Sequence, residues 1–125
     1  MRTILIVEDN EKNMKLARDL LQAKGYATLE AITGVDGVRL AKEHTPDLVL
    51  MDIQLPDING IEAFERLRAD PRTAAIPIVA FTASVTPTDR TRVMQAGFDG
   101  FLSKPINIKE FLATVKRMAE GGART

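Results

Sequence analysis

Short, continuous apolar runs alternate along this chain with segments of helical period. Ile4-Leu5-Ile6-Val7, Leu48-Val49-Leu50-Met51 and Ile78-Val79-Ala80-Phe81 have no polar interruption, the pattern of strands buried on both faces of a parallel sheet. Ala27 to Ile32 is more polar, which predicts a strand at the sheet edge, and Gly100 to Leu102 predicts a short fifth strand. Between the strands, apolar residues recur at helical spacing: Met14, Ala17, Leu20 and Leu21, then Val35, Val38 and Ala41, then Ile61, Phe64 and Leu67. Val93, Met94 and Ala96 mark a fourth helix, and Ile108, Phe111, Leu112, Val115 and Met118 a fifth.

Punctuation agrees with this division. Asn10 precedes the first helix as an N-cap, Thr86-Pro87-Thr88-Asp89 opens the fourth, and Asn107 with Glu110 opens the fifth. Gly25, Pro46, Asp70-Pro71 and Gly97 stop the first four helices, and Pro56-Asp57-Ile58-Asn59-Gly60 is a loop. The fold class this predicts is α/β, a (βα)₅ arrangement with a five-stranded parallel sheet, helices on both faces and right-handed crossovers.

Composition narrows the function. The 125 residues suit one domain, with residues 1–120 as the folded unit and 121–125 as a flexible tail or the stub of a linker. Lys plus Arg and Asp plus Glu both number 17, so no overall field draws in nucleic acid or an anionic membrane. There is no Cys, which removes disulfides, thiolate metal sites and cysteine nucleophiles. The strand pattern starts at Thr3, leaving no room for a signal peptide, and no apolar run approaches spanning length. A soluble cytoplasmic protein without membrane insertion is expected.

The chemistry lies where the strands stop. The first run ends at Glu8-Asp9, the third strand at Asp52, the fourth at Thr82 and the fifth at Lys104-Pro105. In an open parallel sheet these carboxyl ends line one edge, where ligands bind. Taken singly, each residue has an ordinary explanation: helix-dipole partners for Glu8-Asp9, a turn cap for Asp52, strand propensity for Thr82, a solvated charge for Lys104. Together they make a phosphoryl-transfer set. Three crowded carboxylates resist ionisation without a counter-charge. Mg²⁺ supplies one through hard oxygen ligands, and Lys104 supplies another to a phosphoryl oxygen. A carboxylate can then attack phosphorus, and Asp52 is the central candidate because it ends the most buried run.

Ile6-Val7-Glu8-Asp9-Asn10, Met51 to Pro56, Asn59-Gly60, Thr82-Ala83 and Lys104-Pro105 together resemble receiver domains of bacterial two-component response regulators. The likeness spans essentially the whole chain and agrees in motif, order and spacing. Val7 to Asn10, Asn13 to Leu16 and Met51 to Pro56 are most similar to the single-domain DivK type. The resemblance implies a flavodoxin-like (CheY-like) fold with strand order 2-1-3-4-5. It implies Asp52 as phosphoacceptor, with Mg²⁺ as cofactor held by Asp9, Asp52 and the backbone carbonyl of Gln54, and by Glu8 through water. Thr82 and Phe101 match the switch hydroxyl and switch aromatic, Lys104 the phosphoryl-contacting lysine, and Lys104-Pro105 a cis peptide. On residues alone, Phe101 is as well explained as a core aromatic.

The implied partners are a sensor histidine kinase or histidine phosphotransfer protein as donor, and a protein reader on the face of the fourth helix, fifth strand and fifth helix. The chain would catalyse only its own phosphorylation and dephosphorylation. Gln54 and Ser84 are expected to flank the path of attacking water, so that exchanging either would change the hydrolysis rate. Arg90 and Arg92 form no basic patch, and His44, the single histidine, is expected at the surface. Two other chemistries fit less well. A haloacid-dehalogenase-type phosphatase places a second acid two residues after the nucleophile, where Gln54 stands. A flavin-binding loop after the first strand would meet repulsion from Glu8-Asp9. A receiver module from a larger hybrid kinase or multidomain regulator is the alternative to a free-standing one.

Overall fold

The computed structural model describes residues 2–83 and 86–120; Ser84 and the tail from Gly121 lie outside them. In chain order the elements are β1 (Thr3–Val7), α1 (Glu11–Ala23), β2 (Ala27–Ala31), α2 (Gly34–His44), β3 (Leu48–Met51), α3 (Gly60–Ala69), β4 (Ile78–Thr82), α4 (Pro87–Ala96), β5 (Gly100–Ser103) and α5 (Ile108–Glu120). The strands form one parallel sheet ordered β2-β1-β3-β4-β5. The polar strand β2 is at its edge, as its composition predicts.

Alternate strand residues feed two cores, as the two-residue period of a strand requires. Leu5, Val7, Val49, Met51, Ile78 and Ala80 face one side with Val38 and Ala41 of α2, Phe64 and Leu67 of α3, and Val93 of α4. Ile4, Ile6, Leu48, Leu50, Val79 and Phe81 face the other, against Met14, Ala17 and Leu21 of α1 and Phe111 and Val115 of α5. Every residue of β3 is fully buried, in keeping with its unbroken apolar run.

Each of the five helices is N-capped by a side-chain oxygen: Asn10, Thr33, Asn59, Thr86 and Asn107 accept the backbone N–H of Asn13, Asp36, Glu62, Asp89 and Glu110 at 2.9–3.1 Å. Gly25 and Gly97 take positive φ beyond the ends of α1 and α4. Thr45 does the same after α2 at φ 42°, despite its Cβ.

Three helix markers point to solvent instead of the core: Val35, Met94 and Ile108 are 48%, 48% and 53% exposed. For α2 the cause is glycine, which a count of apolar side chains ignores. Its buried face runs through Gly34, Gly37, Val38 and Ala41. A Cβ on Gly37 would sit 2.7 Å from Val7 Cγ2, so only glycine lets α2 approach β1 this closely. Met94 and Ile108 lie beside the buried faces centred on Val93 and Phe111.

Candidate functional site

Parallel pairing brings the four strand ends into one edge. Just past β1, Glu8 gives its backbone N–H to Ala31 O; just past β3, Asp52 gives its own to Val7 O at 3.0 Å. Thr82 is the last residue of β4, and its carbonyl accepts the N–H of Lys104, which follows β5. Glu8, Asp52 and Thr82 are buried, and Asp9 is exposed.

Lys104 links the two buried carboxylates. Its Nζ lies 2.7 Å from both Glu8 oxygens and 2.9 Å from Asp52 Oδ2, and 5.0 Å from the centre of the Phe81 ring. Asn13 Nδ2 donates to Glu8 Oε1 at 3.0 Å, and the backbone N–H of Gln54 donates to Asp52 Oδ1 at 3.0 Å. Burial, with Asp52 alongside, pushes the Glu8 carboxyl up to about 7, against the pull of Lys104. Glu8, Asp9 and Asp52 set three carboxyl groups against the one ammonium of Lys104. One oxygen from each of Glu8, Asp9 and Asp52 lies within 4.8 Å of the other two. Hard oxygen donors, that surplus of carboxyl groups and one solvent-facing carboxylate suit a cation such as Mg²⁺.

The other expected residues are placed as follows. The Lys104–Pro105 peptide is cis. Phe101 on β5 is half-buried, packs at the margin of the core shared with α2, α3 and α4, and has the Arg90 guanidinium 5.1 Å from its ring centre. Arg90, which the sequence places in no basic patch, thus has an aromatic ring as its neighbour. Gln54 is exposed in the loop after β3, and its backbone meets Asp52. His44 is exposed at the last position of α2, the end that leads back toward the start of β3.

Two contributors escaped the sequence reading. Asn13, one turn into α1, braces Glu8. Gly60, the first residue of α3, lies against the end of β3: an added Cβ would clash with Asp52 O and would be 2.8 Å from Ile53 Cα. The Asn59-Gly60 pair is visible in the sequence as turn chemistry and as part of the receiver-like motif set, without a role at the site.

The fold and this strand-end cluster define a receiver domain. Residues 4–116 match the model of the response regulator receiver domain family, and the chain belongs to that family. It is DivK-like: the polar-differentiation response regulator DivK of Brucella ovis is 45% identical over 115 residues, 92% of this chain and 94% of that one. Among solved structures it is similar to the receiver domain of a sensor histidine kinase from Pseudomonas aeruginosa, crystallised with a magnesium ion coordinated in the active site cleft. That likeness is 33% identical with a TM-score of 0.88, covering 94% of this chain and 97% of the other. Chemotaxis protein CheY4 of Vibrio cholerae gives 25% identity and a TM-score of 0.87, covering 94% and 98%. This is a signalling family of two-component systems, not one of metabolic enzymes, so the phosphatase and flavin-binding readings fall away. No helix among the described residues is long and apolar enough to cross a membrane.

Proposed function

We propose that the protein is a phosphorylation switch in which Asp52 accepts a phosphoryl group from a phosphohistidine. The observation that carries this is the Asp52 carboxylate at the end of β3, buried, with one oxygen on Lys104 Nζ and the other on a backbone N–H. In the transfer, an Asp52 oxygen forms a bond to phosphorus while the bond from phosphorus to the donor imidazole nitrogen breaks. The electron pair leaves with the imidazole, which takes up a proton. Lys104, released in part from Asp52, follows the phosphoryl oxygens.

Asp9, Asp52, the Gln54 backbone carbonyl and, through water, Glu8 would hold Mg²⁺. Bound there, it would neutralise charge that builds on the phosphoryl oxygens. Thr82 donates its hydroxyl to the modified Asp52. A hydrogen bond to a charged acceptor is worth about 1.5–3 kcal/mol, enough to shift a two-state equilibrium roughly 10- to 100-fold. Movement of Thr82 toward Asp52 makes room for Phe101, changing the surface of α4, β5 and α5 that a partner protein reads. A sensor histidine kinase or histidine phosphotransfer protein is the donor.

The DivK relatives favour a stand-alone regulator, while the Pseudomonas neighbour, a receiver domain of a sensor kinase, favours a module within a larger one. The test of the switch is intact mass after incubation with acetyl phosphate and Mg²⁺. One added phosphoryl group, absent with EDTA and in Asp52→Asn, is the expected result. No gain in a protein shown to be folded and to bind Mg²⁺ would contradict acceptance from small donors, and no Mg²⁺ binding at all would make the acidic cluster structural.

A further inference from the structure

The first turn of α2 is capped from two places. Thr33 Oγ1 accepts the N–H of Asp36 at 3.1 Å, a contact local to the helix start. Asp57, 23 residues along from Gly34, reaches in from the loop between β3 and α3: Oδ1 accepts the N–H of Gly34 at 2.8 Å and Oδ2 that of Val35 at 2.9 Å. A carboxylate there satisfies orphan donors and opposes the positive end of the helix dipole. Those backbone donors, Val35 and then Gly34, hold the Asp57 carboxyl below its ordinary range. Beside it Ile58 lies so close that a Cβ on Gly34 would come within 2.5 Å of Ile58 Cγ1.

The same loop is also tied at its start. Gln54 gives its N–H to Asp52 Oδ1, and Gly60 gives its own to Ile53 O at 2.9 Å. Only Leu55 and Pro56 separate Gln54 from Asp57, so little slack lies between the acceptor end and the anchor on α2. Pro56 stiffens the link further.

We propose that Asp57 is a positioning residue for phosphoryl acceptance: by clamping the β3–α3 loop to the start of α2, it sets where Gln54 presents its backbone to Asp52 and the acidic cluster. This rests on the phosphoacceptor reading above. A helix cap alone would stabilise α2 and do nothing more. Thr33 is the built-in control, because its hydroxyl caps the same helix by accepting from Asp36, within the helix start, and not from the loop.

The experiment compares wild type, Asp57→Ala, Asp57→Asn and Thr33→Ala. It follows Mg²⁺ titration by the Gln54 amide resonance, the rate of phosphorylation by acetyl phosphate, and thermal unfolding. Both alanine variants should melt below wild type, since each loses a cap. Asp57→Ala should weaken Mg²⁺ binding by about threefold or more, below the usual effect of losing a partner that directly orients a ligand, and slow phosphorylation similarly. Thr33→Ala should leave both unchanged. Asp57→Asn removes the charge but keeps one acceptor oxygen, so it should recover part of the loss. Wild-type Mg²⁺ affinity in Asp57→Ala, equal losses in Asp57→Ala and Thr33→Ala, or no recovery in Asp57→Asn would each overturn the positioning role. A wild type that neither binds Mg²⁺ nor takes a phosphoryl group would instead bring down the phosphoacceptor reading, and this inference with it.

Discussion

Lys104 is the counter-charge on which the metal-free site depends. Its amine holds Glu8 and Asp52 together while only 9% of its side chain is exposed, with 0% for Glu8 and 6% for Asp52. Removing one member of a buried ionic group leaves the others uncompensated, at a cost of about 3–5 kcal/mol. Lys104→Met is therefore expected to melt well below wild type in EDTA and to regain more stability on adding Mg²⁺ than wild type does; equal Mg²⁺ gains would refute this. Glu8 supplies a second check at the same scale. Its pKa is raised to about 7 from an ordinary 4.5, so between those values the folded state binds more protons than the unfolded one. Stability from this group is thus present at low pH and lost as pH rises through that window. In EDTA, Glu8→Gln should gain in melting temperature relative to wild type between pH 5 and pH 8, and a difference independent of pH would contradict the assignment.

The β3–α3 connection decides how close a helix comes to Asp52. Gly60 opens α3 against the backbone of Asp52 and Ile53, where no flexible side chain can give way. Gly60→Ala should cost about 1–3 kcal/mol by crowding and lower the phosphorylation rate, while Gly97→Ala would strain only a left-handed turn. Fast phosphorylation in a destabilised Gly60→Ala would separate the two effects and count against the close approach mattering. This connection also marks where sequence reading stopped. Strand-end residues were legible because each terminates a distinct apolar run, and a parallel sheet gathers such ends without further information. Asp57 and Asn13 were not, because their partners, Gly34 and Val35 in one case and Glu8 in the other, depend on how α2 and α1 seat on the sheet. The burial of Gly37 and the exposure of Val35 were hidden for a related reason: periodicity counts large apolar side chains, and α2 packs through its glycines.

Across the whole molecule, the carboxylate cluster and the α4–β5–α5 face are joined by adjacent strands. Thr82 pairs with Ser103 and Ala80 with Phe101 in the β4–β5 register, so a shift at Thr82 acts one strand away from the aromatic and from Arg90 above it. Phosphorylation should move amide resonances of α4 and β5 beyond those next to Asp52. Thr82→Ala should still take a phosphoryl group yet lose most of the distant shifts; undiminished shifts in that variant would show that the message leaves by another route. The central claim is that one carboxylate, Asp52, becomes the acyl phosphate. The direct measurement is borohydride reduction of the phosphorylated protein followed by peptide mass mapping, since reduction of an aspartyl phosphate leaves homoserine at the modified position. Homoserine at position 52 and unchanged Glu8 and Asp9 is the predicted result, whereas homoserine at position 9, a reduced Glu8, or a fully phosphorylated protein with Asp52 intact would contradict it.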